Sequence, residues 1–192
     1  PYIDNFGKHL VTKNIGMVEL KMASTIDTVK AVGIKKTPIL LTSTYSRVRP
    51  TPAFVEYNEA QRKPDPSKYN QKSLPIAYML EGSFTSMFAG QPIPTKYPYR
   101  DKHKAYKKSK SKPTQIFVCA DGDFIRNGAR PDRKLKQIVP TQLGVGYIGQ
   151  REVFFENRDF VINVLEYMTN NGGLIEAKNR KITLRPLDKI RI

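Results

Sequence analysis

Two carboxylates, Asp121 and Asp123, flank Gly122 where an apolar run ends, and Asn127 follows shortly after. Carboxylate oxygens so placed suit a hard cation such as Mg²⁺ or Ca²⁺, with the glycine permitting the turn. A pair of carboxylates can also divide acid and base roles, which would suit a hydrolase or carbohydrate-modifying enzyme. The same residues have an architectural use: Asp123 can cap a helix that follows the strand, and Asp121 can order the turn. Two residues apart on one turn, the carboxylates need not face each other. The architectural reading therefore takes precedence, with Asp121, Gly122, Asp123 and Asn127 kept as a candidate ligand cleft and with no catalytic residue and no metal site assigned.

Other chemistry finds little support. The single cysteine, Cys119, lies inside the apolar run, where a buried and inert thiol is the ordinary expectation. The two histidines are His9, near the start, and His103, in a basic stretch, so a Cys or Ser triad lacks a base held in reach. A nucleophile elbow is absent, and one cysteine with two distant histidines gives no zinc spacing. Gly144, Gly146 and Gly149 fall at dinucleotide-fingerprint spacing, but no apolar strand leads directly into them and no clear helix follows. No cofactor is expected.

The elements that would position these residues can be read from periodicity. Ile116 to Ala120 is apolar without alternation, the pattern of a strand buried on both faces of a parallel sheet, and its carboxyl end is where open α/β sheets place ligands. Further strands are expected over 15–22, 38–42 and 74–80, with a proline-bearing extended loop over 46–52. Residues 128–150, broken by Pro131, Pro140, Gly144, Gly146 and Gly149, read as an irregular wrap around the sheet edge. A helix is predicted over 157–171, with Asn157 as N-cap, Asp159 at its positive end, and Phe160, Val161, Val164, Leu165 and Met168 on one apolar face. Gly172 and Gly173 stop it. Residues 174–184 read as a terminal β-hairpin. The expected architecture is a single α/β domain spanning 1–192.

Composition narrows the classes further. The 192 residues are 39% hydrophobic, enough for one core. No run approaches a membrane span, and the amino terminus lacks a signal pattern. Because the chain begins with Pro1, it is read as a piece of a longer protein. A formal charge of +16 favours polyanions in general. Much of the excess falls in 100–112, where Lys102, Lys104, Lys107, Lys108, Lys110 and Lys112 form a candidate anion patch, although such runs are usually solvated loops. Tyr97, Tyr99 and Tyr106 interleave with it, but no nucleic-acid module accompanies them, and no nucleic-acid partner is expected.

Several segments together, MASTIDTV, KKTPILLTSTYSRVRPTPA, LPIAYMLEGSFTSMF, SKPTQIFVCADGDFIRN and NRDFVINVLEYMTNNGGLIEAKNRKITLRPLD, run nearly end to end. In order and spacing they resemble the C-terminal extracytoplasmic part of the GldG family, gliding-motility-associated auxiliary components of ABC transporters in Bacteroidetes. The resemblance extends to Rossmann-like, glutamine-amidotransferase-like domains with a similar acidic strand tip. It implies a mostly parallel sheet flanked by helices and no carried-over catalytic residue. It also implies a non-enzymatic accessory or binding domain facing the periplasm, anchored in the inner membrane by segments outside this chain, with a permease and an ATPase as partners.

Overall fold

Strands β4 (Ile34–Leu41), β5 (Pro75–Gly82) and β6 (Thr114–Cys119) form, with the short β2 (Asn5–Phe6), an antiparallel sheet in the order β2-β4-β5-β6. The computed structural model describes residues 1–54, 56, 58–59, 62–92, 96, 108–132, 134–148, 151–170 and 173–178. Around the sheet stand three two-stranded ribbons: β1 (Tyr2–Ile3) with β3 (Val18–Glu19), β7 (Ala129–Asp132) with β8 (Gln137–Pro140), and β9 (Val145–Ile148) with β10 (Arg151–Phe154). Helices α1 (Asn157–Asn170) and α2 (Gly173–Lys178) follow. No described helix is long and apolar enough to cross a membrane.

The register explains the core. Met79 stands opposite Phe117 and Thr37, and Ala77 opposite Cys119, so these side chains share one face. Ala77 and Met79 are fully buried on that face, with Phe117 and Cys119 packed against the same core. Helix α1 covers it. Phe160, Val164 and Tyr167, at i, i+4 and i+7, are its buried stripe, and Phe160 meets Phe117 edge-on with ring centroids 5.8 Å apart. Burial of each such side chain contributes roughly 1.5–3 kcal/mol.

Several expectations are corrected by this architecture. The fold is not a parallel, Rossmann-like α/β sheet; every strand pairing in it is antiparallel among the described residues. Parallel neighbours need crossover connections, usually helical, and the helix α1 comes only after the last strand. Nor is the run ending at Ala120 an interior strand. β6 ends the four-stranded sheet, and Ile116 and Val118 lie on its outer face, 39% and 37% exposed. The run lacked alternation because its outward positions are apolar too.

The expected hairpin over 174–184 is replaced, over its described part, by helix α2, whose Ile175 is buried; residues 179–184 lie outside the described residues. Residues 128–150 carry β7, β8 and β9, the last paired with β10, instead of an irregular wrap. Of the strand expected over 15–22, only Val18–Glu19 pairs, with Tyr2–Ile3. The strands expected over 38–42 and 74–80 are present within β4 and β5, and the helix starts at Asn157 as expected. On that helix Leu165 is 57% exposed and Tyr167 takes the buried position.

Candidate functional site

The chain leaves β6 through Ala120, whose N–H donates to the Ile76 carbonyl at 3.0 Å, and turns at Asp121. Asp121 is 6% exposed, and both of its oxygens are engaged. Oδ2 accepts from the Lys21 backbone N–H at 2.5 Å, and Oδ1 accepts from the Asp123 N–H at 2.9 Å. Asp121 therefore caps the single 3₁₀ turn Gly122–Ile125 while tying the strand tip to the chain leaving β3. The roles expected from sequence are exchanged: Asp121 caps, and Asp123 stands in the first turn. A carboxylate holding two backbone N–H groups has little left for a substrate.

The turn is fixed from below as well. Phe124 points at Phe117 and Phe160, with centroids 6.1 and 6.2 Å away, so an aromatic triangle joins β6, the turn and α1. Asn157, 3% exposed, completes the joint. Its Oδ1 accepts from the Glu19 N–H at 2.9 Å, and its Nδ2 donates to the Glu19 and Phe124 carbonyls at 2.8 and 2.9 Å. Asn157 does not cap the helix. The carbonyl preceding it, on Glu156, accepts from the Phe160 N–H, while the Glu156 carboxylate accepts from the Gly16 N–H. A fully bonded asparagine at a helix start had no sequence signature distinguishing it from a cap.

A small cleft of about 30 Å³, open to solvent, lies beside this joint and includes Glu19, Lys21, Asp123, Arg126, Gly144 and Asn157 in its walls. Asp123 sits 3.5 Å from the Arg126 guanidinium, its side chain 43% exposed. Among the described residues the walls hold no histidine, cysteine or serine. Asn127 is exposed and is not part of the walls. Of the four expected cleft residues, Asp121, Gly122 and Asp123 share the turn, and only Asp123 lines the cleft. Among the described residues no group of three or more His, Cys, Asp or Glu could hold a metal ion.

The glycines at fingerprint spacing serve packing. Gly144 has φ +92°, and a Cβ there would lie 2.2 Å from the Phe155 carbonyl oxygen; a Cβ on Gly146 would lie 2.6 Å from the Phe155 ring. They belong to the β9–β10 ribbon and lead into a strand instead of a helix, while Gly149 lies outside the described residues. Cys119 faces the core, and burial pushes its thiol above the usual range, the opposite of an activated nucleophile. Of the lysine patch, Lys108, Lys110 and Lys112 are exposed, whereas Lys102, Lys104 and Lys107 lie outside the described residues, as do His103, Tyr97, Tyr99 and Tyr106.

A polar cluster not anticipated from the sequence lies at the other end of the core face. Glu81 accepts from the Tyr167 hydroxyl at 2.7 Å and from the Lys35 ammonium at 2.9 Å. The His9 ring stands edge-on to Tyr167 at 4.5 Å, and its Nδ1 accepts from the Val11 N–H, which leaves the neutral ring's proton on Nε2. Burial, then the bond to Glu81, pushes the Tyr167 hydroxyl up to about 12. Burial pulls His9 down, with Lys35 assisting and Glu81 opposing. Burial would raise Glu81, but the bonds from Tyr167 and Lys35 outweigh it and hold the carboxyl low. The cluster pins α1 to β5 and β4; the sequence hint was an acidic residue closing an apolar strand.

Asp121 thus ties the strand tip to the chain leaving β3, while Asp123 stands half-exposed in the cleft wall. No curated protein and no solved structure matches the chain. Residues 1–164, most of its length, match the family described as an ABC-type uncharacterized transport system, an auxiliary component of such transporters. The chain therefore belongs to this family of ABC transport auxiliary proteins.

Proposed function

We propose that the chain is a non-enzymatic, extracytoplasmic accessory domain of the GldG kind. In this reading it is a single domain of a longer protein anchored in the inner membrane. It faces the periplasm beside a permease and an ATPase and serves gliding motility or secretion in Bacteroidetes. The family match over residues 1–164 carries the reading. The strand tip adds support, because Asp121 has both oxygens taken by backbone amides and so leaves a carboxylate-pair hydrolase without its second acid. Fold and function are separate inferences, and it is the family and the tip that speak for this function.

The test is co-purification of the permease and ATPase with the parent protein, with and without residues 1–164. Loss of either subunit from the truncated complex is expected. A complex that assembles and transports normally without these residues would defeat the proposal.

A further inference from the structure

At the end of the sheet where β4 begins and β5 ends, apolar side chains stand out into solvent among lysines. Gly82 pairs with both Ile34 and Thr114, so the segments entering β4, leaving β5 and entering β6 open from the same end. Val29 and Val32, just before β4, are 82% and 94% exposed. Met87 and Phe88, beyond β5, are 80% and 58% exposed.

These residues are held in place. The Ser111 N–H donates to the Phe84 carbonyl and the Ser86 N–H to the Ser109 carbonyl, each at 2.8 Å, and Thr85 bridges Lys110. That ladder prolongs the β5–β6 pair and sets exposed Lys108 and Lys110 beside the Met87–Phe88 turn. The turn is closed by the Ala89 N–H on the Ser86 carbonyl at 2.9 Å and the Phe88 N–H on Ser86 Oγ at 3.2 Å. On the other segment the Lys36 ammonium donates to the Val29 carbonyl, fixing Val29 to β4. Lys30 is exposed between the two valines. Among the described residues Glu81, the acid on β5 next to Gly82, is paired with Lys35, while Asp27 follows Ile26, whose N–H bonds the Pro75 carbonyl at the opposite end of β5.

We propose that this end of the sheet docks on a membrane surface carrying anionic phospholipid. Apolar tips flanked by cations with little opposing acid match the two layers of such a surface, acyl boundary and phosphate headgroups. A soluble polyanion would use the lysines and leave Val32, Met87 and Phe88 idle. An acidic protein could use both but needs a complementary pocket for each tip, whereas a bilayer accepts them in any arrangement. Ordering of the turn before contact lowers the entropic cost of insertion. The inference concerns binding alone and does not depend on the transporter assignment.

The test is flotation of the 192-residue chain with vesicles of phosphatidylcholine, with or without phosphatidylglycerol. Binding should require phosphatidylglycerol and weaken with salt. The double substitution Lys108→Gln with Lys110→Gln should lower affinity roughly 25-fold, at about fivefold per lysine. Met87→Ser with Phe88→Ser should lower it about tenfold or more, while Lys134→Gln, in the β7–β8 turn, should leave it unchanged. All are exposed positions, and circular dichroism is the check that each variant folds. Absence of binding to the phosphatidylglycerol vesicles overturns the proposal. So does binding that ignores Met87 and Phe88 and is matched by soluble polyglutamate, which would mark a general polyanion site or an acidic protein partner.

Discussion

Replacing Tyr167 by Phe isolates the bond that locks helix α1 to the sheet. The ring keeps its burial and its edge-on contact with His9, so only the 2.7 Å hydroxyl bond to the Glu81 carboxylate is removed. A hydrogen bond to a charged group is worth about 1.5–3 kcal/mol. Glu81 keeps its Lys35 partner at 2.9 Å, and its side chain is 19% exposed, so solvent can replace part of what is lost. The expected cost is therefore near the lower half of that range, about 2 kcal/mol. For a chain of this length that corresponds to a fall of roughly 4–8 °C in melting temperature. Urea denaturation followed by circular dichroism reads it as a shift in midpoint at unchanged slope. A cycle with Glu81→Gln should return a coupling of about 1 kcal/mol or more between the two positions. A Tyr167→Phe protein within about 0.5 kcal/mol of the parent would refute the claim that this bond clamps the helix.

The same cluster predicts a stability plateau in pH. His9 and Glu81 have lowered folded values against 6.5 and 4.5, so their contributions are complete above those values and fade as pH falls through the folded ones. The Tyr167 contribution is complete below 10.0 and fades as pH rises through about 12, so the cluster's own contribution to the urea midpoint is flat between, the buried Cys119 thiol adds a separate fall above 9.0, and Tyr167→Phe should remove part of the alkaline fall. Phe117→Ala should cost about 3 kcal/mol, whereas Val118→Thr on the outer face should stay within about 0.5 kcal/mol, read from the same denaturation curves. Equal costs at the two positions would put β6 back in the sheet interior. Gly144→Ala, at φ +92° and against the Phe155 carbonyl, should destabilise by about 2 kcal/mol or more; a neutral effect would show that the β9–β10 ribbon shifts freely.

Elements were legible in the sequence where composition is one-sided. β4, β5 and β6 announced themselves as apolar runs, and α1 as a stripe closed by glycines. Pairing direction was not legible, because Ile116 and Val118 are apolar on an outer face, and a run apolar on both faces has the same signature whether or not both are buried. The family's α/β expectation then reinforced the wrong sense. α2 is six residues long, too short for its period to be told from alternation. At the tip, the acidic turn was legible, but the cap was assigned to the wrong aspartate, because which one caps depends on where Lys21 arrives from β3, a contact across 100 positions. The Glu81 cluster joins His9, Lys35 and Tyr167 from elements far apart in sequence, and no local pattern could have assembled it.

Of the two tip carboxylates, Asp123 is the one that faces the cleft. On the proposed function, in a reconstituted complex of the parent protein with permease and ATPase, Asp123→Ala should leave ATP hydrolysis and complex assembly at the parental level, with the domain's stability lowered by less than about 1 kcal/mol, since only an exposed ion pair with Arg126 is lost. A variant that folds with parental stability yet abolishes the complex's activity would contradict the claim that this turn serves architecture and not chemistry.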